Sequence, residues 1–137
     1  MVAQLYGEIP LPVIRVQVEQ LRARLAGFAR WQADWAAQGW RIEHCECQPA
    51  DGKAVLEVDG ESMVLRGRID RIDIHEESER RTIFDYKSSS AGKSPDQTHR
   101  RGGQWIDLQL PLYRHLARGM EIEGPFDLGY IVLPKDP

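Results

Sequence analysis

A chain of 137 residues suffices for one domain with a modest core. Its 18 Lys and Arg against 21 Asp and Glu leave a formal charge of −3, which excludes a wholesale basic nucleic-acid binder; 42% hydrophobic and 28% charged residues argue against disorder. No apolar run approaches the roughly 20 residues of a membrane helix, and Met1 to Pro12, broken by Glu8 and two prolines, lacks the layout of a signal peptide, so a cytoplasmic single domain spanning 1–137 is expected.

From Val13 to Gln38, Val18, Leu21, Leu25, Phe28 and Trp35 recur at helical steps and define one face of a long amphipathic helix, with Trp31 offset from the stripe. Pro10 and Pro12 before it and Gly39 after it suit its two ends. Short β-like runs follow at Trp40 to Cys47, Ala54 to Val58 and Met63 to Ile74, separated by the turn signals Pro49-Ala50-Asp51-Gly52 and Asp59-Gly60. Cys45 and Cys47, two residues apart on a strand, are poorly placed to bond each other and lack the spacing of a structural zinc site, so they read as reduced thiols. Arg81 to Lys87 is a further strand, and Ser88 to Gly103 a long polar loop. Gln104 to Arg118 reads as a second helix ending at Gly119, with Pro111 either kinking it or marking its true first turn. Phe126 to Leu133 resembles a short buried strand. The order helix, strands, helix, strand predicts an α/β fold: a mixed central sheet flanked by helices.

Charge is uneven. Residues 66–101 carry nine basic against seven acidic side chains, and Lys87 to Arg101 holds four basic groups against Asp96 alone. That excess suits a solvated loop or a phosphate-facing one.

The chemistry concentrates in Leu65-Arg66-Gly67-Arg68-Ile69-Asp70-Arg71-Ile72-Asp73 and Ile83-Phe84-Asp85-Tyr86-Lys87. A hairpin turning at Glu77-Ser78, or through a four-residue loop from Glu76 to Glu79, sets Ile72 opposite Ile83, Asp70 opposite Asp85 and Arg68 opposite Lys87, all on one face. Two carboxylates facing each other repel, an objection a divalent cation removes. Magnesium takes one or two carboxylates and keeps waters that can serve as nucleophiles, and Lys87 could orient such a water or stabilise a phosphate oxygen. The same residues also fit an ordinary charged hairpin, whose ion pairs are worth little.

The combination of motifs resembles the RecB-type branch of the PD-(D/E)XK nuclease superfamily. Gly67-x-x-Asp70-Arg71-Ile72-Asp73, Asp85-Tyr86-Lys87-Ser88 and Gln109-Leu110-Pro111-Leu112-Tyr113 are similar to three family motifs and stand in the family's order. The similarity points to the nuclease domains of AddB-type or exonuclease V helicase–nucleases. It implies a restriction-endonuclease-like core and a Mg2+- or Mn2+-dependent deoxyribonuclease in DNA repair, with further domains or a helicase subunit as partners. Asp70 and Asp85 become metal ligands, Lys87 the catalytic lysine and the Tyr86 carbonyl a further ligand. Gln109 and Tyr113, one helical turn apart, together with Arg68, hold DNA or support the site; alternatively that helix packs its polar face on the sheet edge. Asp73, of opposite parity, points to the other face and suits an ion pair with Arg71 or Arg81, and Glu46 is a support residue. No catalytic role falls to His44, His75, His99 or His115.

The resemblance also implies one more metal ligand, a His or Glu, on an upstream helix. The 13–38 helix has no His and only Glu19 as a plausible acid, so that ligand is expected to be missing and the chain to be a piece of a larger protein or a catalytically incomplete module that binds DNA or a partner. Cys45 and Cys47 do not match the four-cysteine pattern of some relatives, so no iron–sulfur cluster is expected.

Overall fold

The computed structural model describes residues 11–87 and 108–133, and the backbone at 100–101 and 104–105. Helix α1 is Pro12–Ala37; strands β1 (Trp40–Cys47), β2 (Val55–Val58), β3 (Glu61–Val64), β4 (Ile69–His75), β5 (Arg81–Lys87), β6 (Arg100–Arg101) and β7 (Gln104–Trp105) precede helix α2 (Gln109–Gly119) and strand β8 (Phe126–Val132). The main sheet has the order β1-β4-β5-β8, antiparallel except for the parallel β5–β8 pair. This is the mixed α/β core expected. None of the described helices is long and apolar enough to cross a membrane.

Pro12 opens α1, where a missing N–H costs nothing, and Gly39 ends it at φ +90°, a conformation that L side chains resist. The face α1 turns to the sheet carries Phe28, Trp31 and Trp35. Trp31, read as flanking, is central: its ring stacks at 5.8 Å on Phe28 and 5.7 Å on Trp35, and meets Phe84 edge-on at 6.0 Å. Leu21 and Leu25, read as part of the stripe, are half exposed. Hydrophobic period located the helix and placed Phe28 and Trp35 toward the sheet, but the sheet does not reach Leu21 and Leu25.

The run from Met63 to Ile74, expected as one strand, is two. Asp59 and Gly60, both at positive φ, make the tight turn that pairs β2 with β3, and the chain then crosses beneath α2 at Gly67 before β4 begins. A Cβ on Gly67 would lie 3.0 Å from Leu116 Cδ1. The β4–β5 register is the expected one at Arg71–Phe84, Ile72–Ile83, Asp73–Thr82 and Ile74–Arg81. Its loop is the four-residue one: the His75 N–H donates to Arg80 O at 2.8 Å.

Strand alternation gives the sheet two unlike faces. Ile72 and Ile83 pack with Leu110, Tyr113 and Leu116 of α2, each buried aliphatic contributing about 1.5–3 kcal/mol. Helix α2 starts at Gln109 rather than Gln104, with Pro111 in its first turn, because 104–105 pairs with 100–101. Its last turn rests on Ala54, and a Cβ on Gly119 would stand 2.8 Å from the Ala54 Cα. Gly119→Ala is therefore expected to destabilise the fold by about 1–3 kcal/mol, measured as a lower urea midpoint.

Candidate functional site

β5 places Asp85 and Lys87 on the α2 face, two residues apart, and α2 supplies Gln109 and Tyr113 one turn apart above them. Asp85 is 3% exposed. Its Oδ2 lies 2.6 Å from Lys87 Nζ. Gln109 bridges the pair: its Nε2 donates to Asp85 Oδ1 at 2.9 Å and its Oε1 accepts from Lys87 Nζ at 3.1 Å. The same Nε2 lies 2.8 Å from the Tyr113 hydroxyl, which donates to Asp85 Oδ1 at 3.3 Å. An amide can give to a carboxylate from its nitrogen and take from an ammonium at its oxygen at once. Gln109 thus fixes the spacing of both charges.

Asp70 reaches this cluster by another route. Regular β4–β5 pairing stops at Arg71–Phe84, so Asp70 does not form the ladder pair with Asp85 that the hairpin register implied. Its Oδ2 instead accepts the Tyr86 N–H at 3.0 Å, the carboxylate standing where a strand carbonyl would. The Lys87 carbonyl accepts Leu133 N–H on the β8 side, so by alternation the Tyr86 carbonyl faces the β4 side, toward Asp70.

Arg68 lines a cleft with Gln109 and Tyr113 on the α2 side but makes no ladder pair with Lys87. It precedes β4, because the chain has not yet entered the sheet, and its Nε lies 2.8 Å from Glu46 Oε2. Glu46, at φ +50°, stands between Cys45 and Cys47, whose partners are Arg71 and Ile69. Neither cysteine forms a disulfide, and the Cys47 thiol donates to the Ile69 carbonyl at 3.9 Å.

Asp73 lies on the opposite face, fully buried, with Arg71 Nε on Oδ1 at 2.6 Å, Arg71 NH2 on Oδ2 at 2.5 Å and Trp35 Nε1 on Oδ2 at 2.8 Å. It is the structural ion pair expected, made with Arg71; Arg81 pairs instead with Glu43, at 2.8 and 3.0 Å, which holds that carboxyl below its ordinary range. His75 is engaged by the Gln38 carbonyl and Ser78, and Glu19 by Arg22. Ser88, His99 and the basic loop expected after Lys87 lie outside the described residues, save the backbone of 100–101.

A larger cavity, about 690 Å3, lies on the α1 face against β8, walled by Phe28, Trp31, Trp35 and Phe84. It includes neither Asp70, Asp85 nor Lys87 and is chiefly apolar, so the chemistry belongs to the smaller α2 side.

Burial, assisted by the negative charges of Asp85 and Asp70, pushes the Tyr113 hydroxyl up to about 12. Tyr113 therefore stays a neutral donor throughout the working range. Between the ordinary value of 10.0 and about 12 the unfolded chain releases a proton that the folded chain keeps. The associated stability, complete below pH 10, is lost as pH rises through 12. An ultraviolet tyrosinate titration of the native protein should show a late-ionising phase that is absent in Tyr113→Phe.

The donor set fits a hard divalent cation. Asp85 Oδ2 is buried, with Lys87 Nζ 2.6 Å away as its charge partner. A second carboxylate, Asp70, is held to the next residue of β5 by the Tyr86 N–H, and the Tyr86 carbonyl faces the same side of that strand. Oxygen ligands with few protein groups are what Mg2+ accepts; a soft-ligand or zinc site would need thiolate or imidazole. Among the described residues no cluster of three or more His, Cys, Asp or Glu surrounds a common point.

A family model for the PD-(D/E)XK nuclease superfamily matches residues 2–137. No curated protein matches the chain.

Proposed function

This chain belongs to the PD-(D/E)XK nuclease superfamily, and on that footing we propose that it is a divalent-metal-dependent DNA nuclease of the RecB/AddB type. It would act in the cytoplasm in DNA repair, as an exonuclease or within a helicase–nuclease alongside further domains or a helicase subunit. The observation that carries this reading is the Asp85–Lys87–Gln109–Tyr113 network, in which a buried carboxylate is ion-paired with a lysine two residues along the same strand and held by an amide and a hydroxyl from the facing helix.

Asp70, Asp85 and the Tyr86 carbonyl would hold Mg2+ or Mn2+, which when bound lowers the pKa of a water and offsets phosphate charge. Lys87 places a positive charge where a non-bridging phosphate oxygen becomes more negative. Gln109 takes a second hydrogen bond from that ammonium and so orients it beside Asp85. Tyr113, neutral at working pH, steadies Asp85 Oδ1 without adding charge. Hydrolysis forms one P–O bond from water and breaks the P–O bond to one sugar oxygen, which leaves with a proton.

Linear DNA incubated with the chain and Mg2+ or Mn2+ should be cut, a chelator should stop the reaction, and Lys87→Ala should slow it by about 10²–10³. DNA bound but never cut in either metal would overturn the enzymatic reading and leave a nuclease-fold module that grips DNA.

A further inference from the structure

A cleft of about 280 Å3 opens between the β3–β4 connection and α2. Arg66, Gly67 and Arg68 form one wall; Leu112 and Leu116 line the other. Gln109 and Tyr113 also border it, and both touch Asp85, so the cleft shares two residues with the carboxylate centre.

The two arginines are held loosely. Arg66 is 80% exposed and its acid, Asp51, is 3.8 Å away and 91% exposed. Arg68 is 61% exposed and its partner Glu46 is 56% exposed. Exposed pairs of this kind are worth little, so a better anion replaces the carboxylate at small cost. Between them Gly67 presents backbone without a side chain. The leucines offer contact to C–H groups and nothing to a hydroxyl, while Gln109 and Tyr113 are engaged with Asp85, Lys87 and each other.

Resting on the nuclease reading, we propose that this cleft is a deoxyribose-phosphate subsite beside the scissile position. Arg66 and Arg68 take backbone phosphates, and Leu112 and Leu116 pack against the intervening sugar. A ribose there would bury its 2′-hydroxyl against leucine without a partner, so the subsite selects DNA over RNA. Glu46 occupies Arg68 until a phosphate displaces it.

The test is oligodeoxynucleotide binding by fluorescence anisotropy across a salt series, with Ca2+ replacing Mg2+ to hold off cleavage. Arg66→Gln with Arg68→Gln should reduce the slope of log affinity against log salt by roughly 1.4–1.8. The corresponding double Lys substitution should restore it, and Glu46→Gln should tighten binding several-fold. Under Mg2+, one ribonucleotide at the subsite should slow cutting about 10-fold. An unchanged slope in the Gln double variant overturns the subsite even if the wild type cuts DNA, and equal cutting of the ribonucleotide substrate overturns the sugar selection. A reduced slope in a chain that never cuts supports the subsite and overturns the nuclease reading alone.

Discussion

Asp85→Asn is expected to remove Mn2+ binding in a calorimetric titration, lowering affinity by more than about 100-fold, and to abolish DNA cleavage with it. Loss of groups that merely orient a metal ligand already costs about 10–100-fold, and Asp85 sits closer to the chemistry than that. The isosteric change keeps the volume of a side chain that is 3% exposed but removes its charge. It also turns an amide N–H₂ toward either Lys87 Nζ or Gln109 Nε2, both donors, so the bridge of Gln109 loosens. Lys87→Ala should instead leave Mn2+ binding in place and slow turnover, which separates a metal ligand from a charge-stabilising group. Unchanged binding in Asp85→Asn would put the metal elsewhere. No binding by the parent chain would sink the claim that Asp70 and Asp85 suffice to hold the ion.

The second large effect lies on the other face of the sheet. Arg71→Met is expected to destabilise the fold by about 3–5 kcal/mol in urea unfolding, because it leaves the fully buried Asp73 carboxylate with Trp35 Nε1 as its one side-chain donor among the described residues. It also removes a guanidinium lying 5.6 Å over Trp31 and 5.8 Å over Phe84, contacts worth up to about 2 kcal/mol when desolvated. Arg71→Met combined with Asp73→Leu should recover much of the loss, since two apolar side chains in a dry site carry no charge to compensate. Asp73→Asn, folded at low temperature, should still bind Mn2+, which a metal ligand could not do. A cost below about 1 kcal/mol for Arg71→Met would mean that water reaches the pair and that its burial counts for little.

Both sites lie on β4 and β5, yet one was nearly legible in the sequence and the other only in part. Strand alternation with a register counted from Ile72 opposite Ile83 separates Asp70 and Asp85 from Arg71 and Asp73, and the structure keeps that separation. Local rules also placed the Asp59-Gly60 turn and the end of α1 at Gly39, because each depends on φ values within a few residues, while for Pro111 they left a kink and a first turn open, and the structure takes the latter. Gln109 and Tyr113 could be assigned to one face of a helix from their spacing of four.

Contacts between distant segments set the rest. That Gln109 would straddle Lys87 and Asp85 required α2 to dock over β5 at one height, fixed by the close approach of Gly119 to Ala54. That Arg68 would leave the sheet for Glu46 required β3 to pair with β2 instead of running on into β4. Trp31 became central and Leu25 peripheral because the sheet covers only part of a 26-residue helix. The sequence by itself determined the α/β class, the hairpin register and which charges share a face, since backbone periodicity and turn stereochemistry are properties of neighbouring residues. The tertiary structure decided which of those charges meet, because a hydrogen bond between residues about twenty positions apart exists only where packing brings their elements to one distance.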